Sequence, residues 1–293
     1  MHFAVLASPE SWYLRDLKRA ASDRHAITPI TYRELVARLG GSACGLSSGR
    51  VDLGCVDALL VRTMPPGSLE QVVFRMDVLG RLEAAGVRVI NSARAIEAAV
   101  DKYLASAKLE AAGLTTPRTF VCQTVDDAMI GFAELGGDVV VKPLFGAEGR
   151  GIARLNDEAL AQRALRLLVN LGAVLYLQEF IPHAGMDLRV LLVGERAFGM
   201  KRRNPLDWRT NVSRGAAAEP LELTTDLVRV ARQAARAIGA QVAGVDLLPG
   251  CDGRLYTLEV NAVPGWQALS RVTGVDIARE VLEFAACPSG FPA

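Results

Sequence analysis

Residues 244–265 read GVDLLPGCDGRLYTLEVNAVPG. Apolar residues on either side of Asp246 and of Glu259 predict two strands, 244–248 and 254–261. Pro249-Gly250-Cys251-Asp252-Gly253 between them has the composition of a turn. Strand side chains alternate between faces, so Glu259 and Asn261 share one face, and the turn can fold the strand of Asp246 back beside them. Carboxylates inside apolar runs need a counter-charge. Two carboxylates and an amide oxygen make an oxygen-only set of low count, which suits Mg2+ completed by water and phosphate oxygens. The competing reading is a polar strand face that ends in a turn asparagine.

Upstream, residues 139–151 read VVVKPLFGAEGRG. The valines and Lys142 make a strand, and Gly146, Gly149 and Gly151 let backbone N–H groups approach a polyanion closely. The lysine precedes the glycines, which excludes a classical P-loop. The plain alternative is a hairpin with a flexible tip and a solvated lysine. Between the two stretches lie Gln178-Glu179-Phe180-Ile181, a strand edge that could meet a purine, with Glu179 accepting from an amino or hydroxyl group. Asp187 and Arg189 follow, on one strand face by the period of two. Lys201, Arg202, Arg203, Arg209 and Arg214 then crowd into 14 residues together with Asn211, and Asp207 is the only nearby carboxylate before Glu219. Such a cluster suits a nucleic acid, a solvated face or a concentrated small anion, and arginine's planar fork matches phosphate and carboxylate alike.

The whole chain narrows these options. It has 293 residues, 51% hydrophobic and 22% charged, enough for about two domains with large cores. The net charge of +1 favours neither nucleic acid nor an anionic membrane. No apolar run reaches the ~18–20 residues of a membrane span, and MHFAVLAS reads as a first strand rather than a signal peptide. The five cysteines form no Cys-x-x-Cys pair, which fits reduced core thiols in a cytoplasm. Three histidines exclude a His-rich metal site. Over the first ~90 residues strand and helix patterns alternate, which argues for a parallel sheet with covering helices, without a Gly-x-Gly-x-x-Gly after the first strand. Within it Thr31 is expected to cap a short helix through Leu39. Residues 92–112 read as one long helix carrying Asp101-Lys102, a pair that is surface decoration on its own.

Taken in order, Asp101-Lys102, VVVKPLFGAEGRG, QEFIP, MDLRVLLVG, RTNVSRG and GVDLLP…LEVNAVPG resemble the ATP-grasp superfamily. The Asp-x-Arg and Arg-Thr-Asn-Val-Ser-Arg-Gly segments narrow the resemblance to the RimK-type alpha-L-glutamate ligases. MKRRNPLDWRTNVSRGAAAEP and NAVPGW look most like the ligases of tetrahydromethanopterin biosynthesis. The resemblance implies an α/β fold in three parts: an N-terminal α/β domain over 1–97, a central lid domain over 98–182 and a C-terminal domain over 183–287, with ATP between the last two. It implies that Lys102 and Lys142 contact phosphate and that the loop with Gly146, Gly149 and Gly151 covers it. Gln178, Glu179, Phe180 and Ile181 would read adenine, and Asp187 would contact the nucleotide. Asp246, Glu259 and Asn261 would hold Mg2+, with Mn2+ as a substitute. Arg189, Asn211 and Arg214 would stand near the transferred phosphate. Separately, the surplus of positive charge at Arg202, Arg203, Arg209 and Arg214 over the nearby acids is expected to meet substrate carboxylates. Ala216 departs from the pattern, where close relatives often have a second glycine.

The implied chemistry is ATP-dependent activation of a carboxylate to an acyl phosphate and its capture by an amine. The implied substrates are L-glutamate and a small pterin-like acceptor, in a cytoplasmic enzyme compatible with a homo-oligomer and without membrane or nucleic-acid partners. The alternatives are glutamylation of a ribosomal or carrier protein C-terminus, a non-catalytic nucleotide-binding regulator, and a basic RNA-binding module built on residues 201–214.

Overall fold

The structure is a computed structural model that describes residues 1–41, 44–146, 151–211 and 215–287. Its first part alternates as the sequence suggests. It runs β1 (His2–Leu6), α1 (Trp12–Ala21), β2 (Ala26–Ile30), the small strands β3 (Leu35–Ala37), β4 (Leu46–Ser48) and β5 (Val51–Asp52), then β6 (Ala58–Val61), α2 (Leu69–Ala84) and β7 (Arg88–Ile90). The main sheet is parallel, in the order β2-β1-β6-β7, while β3, β4 and β5 form a separate antiparallel sheet. Ser68 and Gln71 close a reciprocal capping box that starts α2.

Next come α3 (Ala93–Val100), α4 (Lys102–Ala111), β8 (Thr119–Cys122), α5 (Val125–Glu134), β9 (Val139–Lys142), β10 (Ala153–Leu155), α6 (Glu158–Asn170) and β11 (Leu175–Glu179). The four strands form an antiparallel sheet in the order β10-β9-β11-β8. Val139, Val141, Leu155, Leu175 and Leu177 point to one face and bury against Ala128 and Phe132 of α5 and Ala161 and Leu165 of α6. By alternation, Val140, Lys142, Arg154, Tyr176 and Gln178 occupy the other face.

The last part holds β12 (Met186–Val193), β13 (Arg196–Arg203), β14 (Ala217–Pro220), α7 (Thr225–Ile238), β15 (Val242–Pro249), β16 (Leu255–Asn261), α8 (Gln267–Thr273) and α9 (Ile277–Ala286). Its antiparallel sheet runs β14-β13-β12-β15-β16. Thr224 caps α7, Gly239 ends it in the left-handed region, and Ala231, Ala234, Ala235 and Ile238 recur at helical spacing on its buried face. That face covers Val190, Leu192, Ala243, Val245 and Leu247. The first part is pinned to this sheet by one buried side chain. Asn91 donates to the Val242 and Ala262 carbonyls at 2.7 and 2.6 Å and accepts from the N–H groups of Gln241 and Val242 at 2.7 and 2.9 Å.

Three expectations need correction. Residues 92–112 are two helices, because Asp101 adopts extended geometry and its carboxylate accepts from Leu104 N at 3.0 Å, which starts α4 afresh. Both helices pack into the core built around α7. Thr31 starts only a single 3-10 turn over Tyr32–Glu34, its hydroxyl bonding to the Glu34 carboxylate at 2.8 Å instead of capping. The five cysteines are free but none is fully buried: Cys55 and Cys251 are exposed, and of the half-buried Cys44, Cys122 and Cys287 the first two pack against the edges of cores.

Candidate active site

Two sheet faces meet at the site. On the C-terminal sheet, Leu191 and Val193 of β12 and Val242 of β15 belong to an apolar cluster with Trp266 and α9. Further along the same face the residues turn charged: Arg189 and Asp187 on β12, Asp246 on β15 and Arg202 on β13. Register places Asp187 opposite Arg202 and Arg189 opposite Asp246. Arg202 forks onto Asp187 with bonds of 2.7 and 2.5 Å, and its Nη2 also lies 3.0 Å from Asp246. Arg189 ion-pairs with Asp246, its Nη2 donating at 2.9 Å. Asp187 and Arg202 are 3% and 4% exposed, so this four-residue ladder is a buried electrostatic unit. Gly244 leaves room for it, since a Cβ there would meet Arg189 Nη1 at 2.7 Å and Pro264 at 3.1 Å.

The ladder splits its two carboxylates. Burial alone would raise Asp246, but the charges of Arg189 and then Arg202 outweigh it and hold the carboxyl below its ordinary range. For Asp187, burial outweighs the charge and hydrogen bonds of Arg202 and a hydrogen bond from Thr210, and raises it. Arg202 is held charged by Asp246 and Asp187 against its own burial. Glu259 stands directly opposite Asp246 in the β15–β16 register, next to a bulge, and Asn261 lies opposite Gly244. The three oxygen-bearing residues read from the sequence therefore share one face. Asn261 Oδ1 also accepts from Val263 N at 2.8 Å, which turns the chain away after β16.

The sheet of β8, β9, β10 and β11 and the start of α4 supply the cations. Lys142 donates to Gln178 Oε1 at 2.5 Å, and the Gln178 amide donates to Thr119 Oγ1 at 3.1 Å and the Tyr176 hydroxyl at 3.2 Å. Burial pulls Lys142 down to about 8, opposed by the nearby charge of Glu259. Burial lowers Lys102 as well, opposed by Glu259 and Asp101, and its ammonium donates to the Gly146 carbonyl at 2.8 Å. Lysines 40 positions apart thus face one carboxylate, Lys102 because Asp101 restarts the helix beneath it.

Several expected positions behave differently. The Gln178 side chain is bound to Lys142 instead of lying open at the strand edge. Glu179 accepts from Arg118 N at 2.8 Å and Arg118 Nε at 2.7 Å. The Phe180 N–H is taken by the Asp138 carbonyl at 2.9 Å, whereas the Ile181 N–H makes no backbone bond among the described residues. The charge surplus expected of the basic segment is smaller than its sequence suggests. Arg202 is consumed by the ladder, Arg209 forks onto Asp207 with a shortest bond of 2.7 Å, and Arg203 lies 3.5 Å from Glu219. Partners from distant strands were invisible to a local count of acids. Asn211 is part-buried, while Gly149 and Arg214 lie outside the described residues, as does the centre of the glycine loop.

Sequence reading missed the pocket beside Phe180. Phe180 is covered by Arg154, whose guanidinium carbon lies 3.5 Å from the ring centroid, and Trp208 meets it edge-on at 5.8 Å. With His183 and Asn204 these line a cavity of about 400 Å3. Only the aromatic Trp208 inside the basic segment could have signalled it.

A family model described as the RimK-like ATP-grasp domain matches residues 99–285. The chain belongs to the RimK-like ATP-grasp family. It is accordingly an ATP-dependent amino-acid ligase in class. It is 32% identical to tetrahydromethanopterin:alpha-L-glutamate ligase of Methanosarcina acetivorans, over 96% of this chain and 97% of that one. Identity is 30% to the protein of the same name from Methanococcus maripaludis, covering 97% and 98%. Among solved structures, the ATP-grasp ligase PsnB complexed with minimal precursor, Mg and ADP superposes with a TM-score of 0.77 at 21% identity, covering 98% of this chain and 96% of that one. The RimK domain protein of Sphaerobacter thermophilus superposes with 0.76 at 23%, covering 98% and 100%. These two show the ATP-grasp fold.

Among the described residues no three His, Cys, Asp or Glu side chains cluster as a metal site, so an ion would rest on two carboxylates and an amide. In this RimK-like chain that donor set, all oxygen and all on one sheet face opposite two lysines, fits Mg2+ with phosphate oxygens completing the shell. No described helix is long and apolar enough to cross a membrane.

Proposed function

We propose that this chain is an ATP- and Mg2+-dependent ligase that adds L-glutamate, through an acyl phosphate, to a small pterin-like acceptor in the cytoplasm. The observation that carries the reading is the opposition of Lys102 and Lys142 to the Asp246–Glu259–Asn261 face. Lysines set against oxygen donors suit a triphosphate whose charge is shared between ammonium groups and a divalent cation. The names of the relatives from Methanosarcina and Methanococcus support glutamate as the amino acid and tetrahydromethanopterin as the acceptor. When bound, Mg2+ would withdraw charge from the phosphates, held by Asp246, Glu259 and Asn261.

The chain's own residues bind and orient. An oxygen of the acceptor carboxylate attacks the γ-phosphorus and ADP leaves; the glutamate nitrogen then attacks the acyl carbon, phosphate leaves and the nitrogen gives up a proton. Lys142, held by Gln178, meets the phosphate charge, and Arg189, held by Asp246, stands beside it. Asn211 and Arg214 serve the transferred phosphate. The Ile181 N–H serves the adenine edge. Positioning of this kind substitutes for a covalent nucleophile.

The decisive experiment incubates the protein with ATP, Mg2+, L-glutamate and tetrahydromethanopterin and follows the product by mass spectrometry. Gain of one or more glutamyl units is the expected result. In competition among the twenty amino acids, preferential incorporation of a neutral or basic one refutes the glutamate assignment while leaving the ligase class intact. Glutamylation of an added protein C-terminus in place of the pterin would favour the second acceptor class.

The lysine near pH 8 gives a second test. Below about pH 8 Lys142 carries its charge, and above it the ammonium is lost. ATP affinity measured calorimetrically should fall from pH 7 to pH 9. Lys142→Ala should weaken binding at pH 7 by about 1.5–3 kcal/mol, the range of a charge-assisted bond, and flatten that dependence. An unchanged profile in the variant would count against the phosphate role.

A further inference from the structure

Arg62 follows β6 at the C-terminal end of the parallel sheet, outside the residues assigned to nucleotide or metal. Its guanidinium carbon lies 4.2 Å from the Trp266 ring centroid and 5.1 Å from that of Tyr13. Its Nη2 donates to the Pro264 carbonyl at 2.5 Å. Its Nε is buried without a hydrogen-bond partner, and among the described residues no carboxylate lies within ion-pair distance of it. Burial lowers it to about 10, so it stays charged at neutral pH. Aromatic faces compensate a desolvated guanidinium only in part.

The surroundings add positive potential, and the nearby carboxylate is already engaged. Tyr13 belongs to the first turn of α1, where Ser11 makes no capping bond and no acid is present. Asp16, the nearby carboxylate, is occupied by the Trp266 indole at 2.9 Å and by Arg19 at 2.8 Å. The position also adjoins the chemistry. Pro264 is three residues beyond Asn261, and its ring would be met at 3.1 Å by a Cβ on Gly244, which would also meet Arg189.

We infer that Arg62 binds a carboxylate of one of the ligase's substrates, held in the plane of its fork between the first domain and the loop that follows the metal face. The inference deepens the ligase reading and rests on it only for the identity of the anion. The two oxygens of a carboxylate match parallel N–H groups of a guanidinium, as phosphate oxygens also do, and the substrates of a ligase supply the carboxylates.

The test titrates the full chain with L-glutamate, with succinate as a carboxylate lacking the amine, and with inorganic phosphate, using calorimetry. Wild-type protein is expected to bind at least one of the first two, and Arg62→Gln to bind it at least about tenfold more weakly. Arg62→Lys, which keeps the charge without the fork, should fall between, and it decides the matter if the glutamine variant does not fold. A loss confined to glutamate assigns the incoming amino acid, and a loss that includes succinate assigns the acceptor side. Equal affinities in folded variants, binding of phosphate alone, or binding of no probe to the wild type overturns the inference. None of these titrations needs turnover, so a failure to transfer glutamate would refute the proposed reaction separately.

Discussion

Arg202→Met is expected to lower the unfolding free energy by about 3–5 kcal/mol, the cost of removing one member of a buried ion pair. The arginine holds both Asp187 and Asp246, and its loss strands Asp187 with no cation while leaving Asp246 to Arg189 alone. Arg202→Lys should recover little of this, because an ammonium cannot present two parallel N–H groups to Asp187 and still reach Asp246. Chemical denaturation at pH 7 measures both. Acid gives the sign for the ladder's other end. Asp246 is held below its ordinary range, so its contribution is fully present above the unfolded value of about 4 and is lost as pH falls through the lower folded one. A loss below 1 kcal/mol in Arg202→Met would show that the ladder is not the unit described here.

Glu259→Gln should leave the fold intact and cut ATP turnover with acceptor and glutamate by about a hundredfold or more. The glutamine fills the same space, and among the described residues Glu259 has no ion-pair partner whose loss would destabilise the chain. What changes is charge: Lys102 and Lys142 lose the carboxylate that opposes their burial, and the cation face loses one of its two anions. The variant therefore carries a second signature. Without Glu259 the Lys142 ammonium should release its proton at lower pH, moving the decline in ATP affinity below pH 8. Turnover at the wild-type rate would exclude Glu259 from the metal set, and an unshifted pH dependence would break its coupling to Lys142.

Much of this was legible in the chain because it depends on spacing. The period of two put Glu259 with Asn261 and Asp187 with Arg189, and the Pro-Gly-Cys-Asp-Gly turn returned the strand of Asp246 beside them. The break at Asp101 was lost because a capping aspartate inside an unbroken helical pattern looks like surface, and only the refolded turn shows its carboxylate on Leu104 N.

Local pattern by itself therefore determined the strands, their faces and the order of the family motifs, since alternation and turn chemistry act between neighbours. The tertiary structure alone decided charge. Arg202 looked like a surplus cation beside one acid in sequence, yet antiparallel registers bring Asp187 and Asp246 against it from two other strands. Nothing local in the sequence marks Arg62, yet Tyr13 and Trp266, far away along the chain, flank it, and among the described residues it has no ion-pair partner. Whether a charge is paired depends on distances of a few ångströms between segments scores of residues apart, and no local pattern encodes such distances.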